Sequence, residues 1–557
     1  MVRKEKKKLR IALLIESFSQ PGWIHRIITD IEDSYFADIV LIIEKKSHDN
    51  DVAKRLPGLS INGHSVLWNL YARIDNRVSC PYKNPFEQFD ISHLKERGCT
   101  VLSVQPIPVN GGNHLRKEDI QKILLEEVDL VLDFWRNRVT GAAVRIAKYG
   151  VWSGSPSHNS IPYGSPPGFW EVMRKESTIE FTLRMASYGA GRDKVLYQSW
   201  TATDPLSARG TISKVYWKSA NSMVRKIRNL YERGPAALDD ENLGAAADLH
   251  NGKQFSHPTN TQILGCMAKI SGRRIQRSLW NRLHLEQWFL AYNLGKSEPS
   301  IDPPYDLQYM KPPKDRFWAD PFPVARGGKY YIFMEEFFYH THKAHISVIE
   351  MGFDGTWKQP LKVLERDYHL SYPFLFEWRN DLYMIPETKR NNTVELYRCT
   401  EFPLKWEFDR VLIANAQAVD NTLHEQDGIW WLFCSIGGKD FATNDELHVF
   451  YAETPLGPWR PHRLNPVKSD VRSARPAGRL FRVNGDLYRP SQDCSIRMGG
   501  AIVMNQVTRL NPEEFHEEVA ARIEPKWAKG IYGTHTINTA DRLTMLDCFG
   551  YVRKYLS

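Results

Sequence analysis

The 557-residue sequence predicts an α/β doubly wound, Rossmann-type N-terminal domain over residues 1–235 and an all-β five-bladed propeller over 286–557, joined by a linker with a basic helix, 236–285. Three observations predict this division. The first part alternates apolar strands with amphipathic helices, the order of a mostly parallel sheet. Periodicity then fades into Gly, Asn, Asp and Ala, which marks a linker. The last part repeats a strand, a polar turn and a second strand at the spacing of propeller blades.

In the first domain, "IALLIES", "ADIVLIIE", "CTVLSVQPI", "VDLVLDFW" and "YGVWS" read as strands, and "GWIHRIITDI" as a helix. The run "IALLI" is stopped by Glu16 and Ser17, too short for a signal sequence or a membrane span. "IEFTLRMAS" and "KVLYQSW" add two strands, and a helix ended by Gly234 before Pro235 closes the domain. Ligands of such sheets sit beyond the carboxyl ends of the strands, where the loop after "YGVWS" falls. The helix at 263–283 carries Arg273, Arg274, Arg277 and Arg282. Packing between domains with a solvated charged face is its main expectation, and peripheral contact with a membrane or an acidic partner is the alternative.

The repeat begins at Asp320, Tyr372, Asp420, Ala477 and Tyr532, with steps of 52, 48, 57 and 55 residues. "EQWFLAYNLG" at 286–295 is expected to supply an outer strand that closes the ring with the last blade. The net charge of +9 is modest for this length and the basic residues are dispersed, which argues against a nucleic-acid partner. Seven cysteines without a CxxC pair suggest a reducing, cytoplasmic setting. No metal site is readable from ligand spacing.

On "NHLRKEDI", "PPGFWEV" and "STIEFTLRMA", residues 9–235 resemble the formyltransferases that use 10-formyltetrahydrofolate. That resemblance implies a folate cofactor and a site of asparagine, histidine and aspartate, a proton acceptor with donors for the developing oxyanion. The family's histidine position falls on Ser155 or Pro156 and its aspartate near Gly191, so His158, Asn159 and Asp193 are the right residue types in displaced positions.

On "WADPF", "SYPF", "MIPET" and "RPAGRLF", the second half resembles the five-bladed propellers of glycoside hydrolase family 43. It is nearer still to the N-terminal propeller of plant glucosamine inositolphosphorylceramide transferases. The resemblance implies Asp320 as catalytic base and Asp420 as the carboxylate that tunes it. The acid expected at the opening of the fourth segment is absent, with Ala474 or Arg475 there. Glu335 and Glu387, at equivalent ends of the second strand in two blades, and Asp493 are the substitutes. Arg475, Arg489, Asp493 and His535 are expected to grip a sugar, sugar nucleotide or phosphate. The leading expectation is a carbohydrate-acting enzyme with its chemistry in the propeller. The rivals are an amino-sugar N-formyltransferase and a glycan-binding scaffold without catalysis.

Overall fold

The chain divides into two units, Met1–Arg274 and Ile275–Ser557. The computed structural model describes residues 6–46, 67, 70–71, 73–75, 83–109, 112–135, 137–156, 168–188, 193–239, 258–295, 300–302, 306–438 and 442–554.

The first unit is an α/β layer structure around a seven-stranded sheet. Its strands are β1 (Leu9–Ile15), β2 (Ala37–Lys45), β3 (Thr100–Val104), β4 (Leu130–Asp133), β5 (Val151–Pro156), β6 (Thr178–Met185) and β7 (Lys194–Ala202), in the order β7-β6-β5-β4-β1-β2-β3. Strands β1 to β5 run parallel, and β6 and β7 return antiparallel. The order therefore reverses between β1 and β4, the switch point where such sheets open a crevice. Helix α1 (Gly22–Glu32) buries Ile24, Ile27, Ile28 and Ile31, the i, i+3, i+4, i+7 stripe of a helix packed on one face. Helix α2 (Ala208–Arg233) starts at Ser207, whose hydroxyl accepts from the Gly210 amide at 2.7 Å.

Helix α3 (Asn260–Leu283) carries the arginines expected to face solvent or lipid. Its first part buries Ile263, Cys266 and Ile270 in one apolar cluster with Phe169 and Val172. Arg273 and Arg274 each donate at 2.8 Å to the Pro205 and Leu206 carbonyls, so these two charges hold a turn of the first unit; Arg277 and Arg282 are exposed. No helix among the described residues is long and apolar enough to cross a membrane.

The second unit is a ring of five antiparallel sheets. Blade one runs from Arg316–Arg326 outward through Lys329–Phe338 and Lys343–Gly352 to Leu361–Leu364, and blade two from Ser371–Trp378 to Lys405–Ala414. Blade three starts at Ala418–Gln426, and blade four runs from Phe481–Val483 through Asp486–Asp493 and Ala501–Leu510 to Phe515–Ile523. Blade five combines Ile537–Ala540 and Leu543–Arg553 from the end of the chain with His284–Leu294 and Gln308–Met310 from the beginning of the unit. The closing strand pairs along its whole length, from His284 opposite Arg553 to Leu294 opposite Leu543. Blade five is thus completed by strands from both ends of the unit, which ties the first and last segments of the ring together.

The first three inner strands share one irregularity. Two residues of the inner strand oppose one of its partner between Ala319 and Phe322, between Ser371 and Phe374, and between Val419 and Thr422. The first bulged residue is left-handed in each: Asp320 at φ 52, Tyr372 at φ 45 and Asp420 at φ 54. Such bulges re-aim side chains and are costly for residues other than glycine. In blade four the turn toward the axis is made by Gly478, φ 128, where a Cβ would meet the Ile537 carbonyl oxygen at 2.0 Å.

Candidate axial site in the propeller

The bulged residues of blades one to three meet polar side chains of blades four and five. Asp320 is 5% exposed; its carboxylate accepts from the Tyr372 amide at 3.2 Å and from the Thr536 hydroxyl at 2.6 Å. The Tyr372 ring reaches across, its hydroxyl bonded to Thr422 at 2.8 Å and to the Gly478 amide at 2.7 Å, so it joins blades two, three and four. Asp420, 2% exposed, takes the Arg475 guanidinium through two bonds, 2.5 and 3.2 Å, and the Gln492 amide at 2.8 Å.

Asp547 lies fully buried behind Asp320. Its Oδ1 accepts from the backbone amides of His535 and Thr536 at 2.8 and 3.0 Å, and its Oδ2 accepts from the Asp320 amide at 3.1 Å and contacts His535 Nδ1. The imidazole stacks on Trp288, centroids 4.0 Å apart, with Nε2 3.9 Å from Asp320. Burial alone would lower the pKa of His535, but the Asp547 and Asp320 carboxylates outweigh it and lift it to about 9. Burial also drives Asp320 up to about 8, opposed by His535 and reinforced by Glu335, Asp547 and Asp420. His535 is in direct contact with Asp547, so the charge that opposes the rise at Asp320 is shared between two carboxylates.

Glu387 has 13% of its side chain exposed and lies 3.9 Å from Arg475. Burial raises its carboxyl to about 7, with Asp420 adding and Arg475, Lys389 and His369 opposing. Glu335 is paired with His369 at 3.2 Å. The imidazole is held above its ordinary pKa: burial lowers it, and Glu335 and Glu387 more than compensate. The fold thus gathers Asp320, Asp420, Glu335, Glu387, Arg475 and His535 in one connected network. Asp547, His369 and Gln492 are members that sequence reasoning missed. An aspartate inside the apolar strand "LTMLDCF" was the available signal for the first.

Two expected ligand contacts fall elsewhere. Arg489 has no exposed surface; its guanidinium bonds Glu517 at 2.8 and 2.6 Å and the carbonyls of Ser473 and Ala474 at 2.7 and 3.3 Å. It is therefore corrected from a sugar contact to a brace inside blade four, with four of its five donors engaged. Asp493 is 4% exposed and is taken up by Arg522 and the Ser495 amide. Asp320, His535 and Asp547 each offer a ligand atom within 4.8 Å of the others, but the His535 Nδ1 and an Asp547 oxygen are spent on their mutual ion pair.

In the first unit, His158 and Asn159 lie outside the described residues. Asp193 pairs with Arg138 and accepts from the Ser187 amide at 3.1 Å. The sheet's switch point holds Asp133, at the end of β4. Burial raises its carboxyl to about 7, against the Val139 and Trp135 amides that bond it at 2.8 and 3.0 Å.

Residues 308–542 match a family model described as glucosamine inositolphosphorylceramide transferase 1, N-terminal. The transferase of that name from Oryza sativa subsp. japonica is 39% identical over 205 residues, which are 36% of this chain and 27% of the relative. The one from Arabidopsis thaliana is 36% identical over 205 residues, with the same shares. The match thus spans about a quarter of the curated relatives' own length. Among solved structures, a family 117 glycoside hydrolase from Zobellia galactanivorans aligns with 47% of this chain and 90% of its own, at 14% identity and a TM-score of 0.32.

Proposed function

We propose that the propeller takes up a glycan at the rim of its axial site and acts there on a glycosidic bond by acid–base chemistry. The observation that carries this reading is the coincidence, at one spot, of three left-handed bulge residues and two carboxyls lifted into the neutral range. A polar core needs neither backbone strain nor titration near neutral pH, and both mark functional sites.

Glu387 is the proton donor in this reading. A carboxyl at about 7 is partly protonated at physiological pH, as a general acid must be. Asp320, in its ionised form, is the base that takes the proton of the attacking water or acceptor hydroxyl, and it is positioned by Asp547, Thr536 and Tyr372. Asp420 is neutralised by Arg475 and acts through it, holding the guanidinium beside Glu387 for a sugar hydroxyl or phosphate. The relatives' name supports glycosylated inositolphosphorylceramide as the first glycan to test. Aryl glycosides and inositol glycans incubated with the full chain should be turned over, with Glu387→Gln at least about 10²-fold slower and binding retained. Binding without turnover would instead make the propeller a glycan-binding module, and neither would overturn the reading.

Folate-dependent formyl transfer to an amino sugar is the second reading. It is favoured by Asp133 at the switch point, whose carboxyl near 7 suits a proton acceptor. Release of tetrahydrofolate from 10-formyltetrahydrofolate in the presence of an amino-sugar nucleotide would support it. No folate binding by calorimetry would remove it.

A further inference from the structure

We propose that the outer strands of blade five carry a second ligand site, which takes a six-membered polyol ring bearing a phosphate. A cleft of about 270 Å³ opens there between Phe289, Tyr309, Lys311, Lys529, Gly530 and Tyr551. Ligand pockets run from about 300 to 1,000 Å³, so this one suits a single ring better than an extended chain. It is distinct from the axial site, because its walls are the closing strand, the edge strand, the end of the strand Leu543–Arg553 and the loop at 528–531, not the inner strand Ile537–Ala540.

Three features fix the chemistry. Phe289, Tyr309 and Tyr551 supply aromatic surface for the apolar face of a ring; Tyr309 is 37% exposed, its centroid 5.9 Å from that of Phe289. Lys311 and Lys529 bring two ammonium groups, yet no lining residue is acidic, and neither lysine has a carboxylate partner among the described residues. Lysine binds phosphate as a point charge, and two like charges on one cleft attract an anion. Finally, the floor is kept low by glycine: a Cβ on Gly550 would meet the Gly530 carbonyl at 3.2 Å and the Phe289 ring at 3.3 Å. Gln287, the other polar wall, already donates at 2.9 Å to each of the Pro313 and Arg316 carbonyls, which leaves the charge of the lysines as the anchor.

The ring phosphate could arrive free or as the headgroup of a lipid, and the test separates the two. The full chain is titrated calorimetrically with myo-inositol 1-phosphate, α-D-glucose 1-phosphate, myo-inositol and inorganic phosphate, and is floated with phosphatidylinositol vesicles. Binding of either ring phosphate, at least tenfold tighter than phosphate or inositol alone and lost tenfold or more in Lys311→Ala/Lys529→Ala, supports the site. Flotation without soluble binding, lost in the same variant, supports it with a lipid as the source. Both lysines are exposed, so the variant is expected to fold; Tyr309→Ala should weaken the ring phosphates without changing phosphate alone. Equal binding in the lysine variant, equal affinity for bare phosphate, or no binding to any probe overturns the proposal. It does not rest on the axial reading, since Glu387→Gln should abolish glycoside turnover and leave this binding intact.

Discussion

Replacing Arg475 by methionine tests how the axial site is held together. The guanidinium makes two bonds to Asp420, 2.5 and 3.2 Å, one to Asn444 at 2.9 Å, and lies 3.9 Å from Glu387, with only 11% of the side chain exposed. Its removal leaves the Asp420 carboxylate, 2% exposed, with the Gln492 amide as its remaining side-chain donor. Breaking one partner of a buried ion pair costs about 3–5 kcal/mol, because the surviving charge stays desolvated. At roughly 2–4 °C per kcal/mol for domains of about 150–250 residues, the melting temperature should fall on the order of 10 °C. The double variant Arg475→Met/Asp420→Asn has no orphaned charge and should recover most of the loss. Urea unfolding followed by tryptophan fluorescence measures both. A cost below about 1 kcal/mol for the single variant, or a double variant no more stable than the single, would refute the claim that Asp420 is a neutralised anchor.

Two further predictions follow from the same geometry. Glu387 has its folded-state pKa raised from 4.5 to about 7, so the stability it contributes is full below about 4.5 and is lost as pH rises through 7, at most about 3 kcal/mol. Glu387→Gln should therefore match the parent near pH 5 and exceed it at pH 8 in urea unfolding; equal curves at both would contradict the assigned shift. Gly478→Ala would place a Cβ 2.0 Å from the Ile537 carbonyl at a φ of 128, and should cost at least about 2 kcal/mol. A neutral effect there would mean that blade four does not turn as described.

The ring was legible in the sequence because each blade spends its apolar residues on an inner and a second strand around a polar turn, a pattern that survives divergence. The equivalence of Asp320 and Asp420 came from the same spacing, and both sit at the first bulged residue. The phase was lost toward the end of the chain. The expected fifth segment opens at Tyr532, which is 51% exposed, whereas the inner strand is Ile537–Ala540. His535 and Thr536 instead donate to Asp547, and the Thr536 hydroxyl to Asp320, ahead of the regular strand, and no periodicity reports that. Arg475 and Arg489 looked alike in sequence, yet one faces the axis and the other Glu517, since a partner 28 residues away on the fourth strand is invisible to local pattern.

The central claim is most directly tested by a crystal structure of the full chain soaked with whichever glycan is turned over or bound most tightly. The account predicts a sugar ring within hydrogen-bonding distance of both Glu387 and Arg475. A ring bound elsewhere with the axial side chains untouched would contradict it.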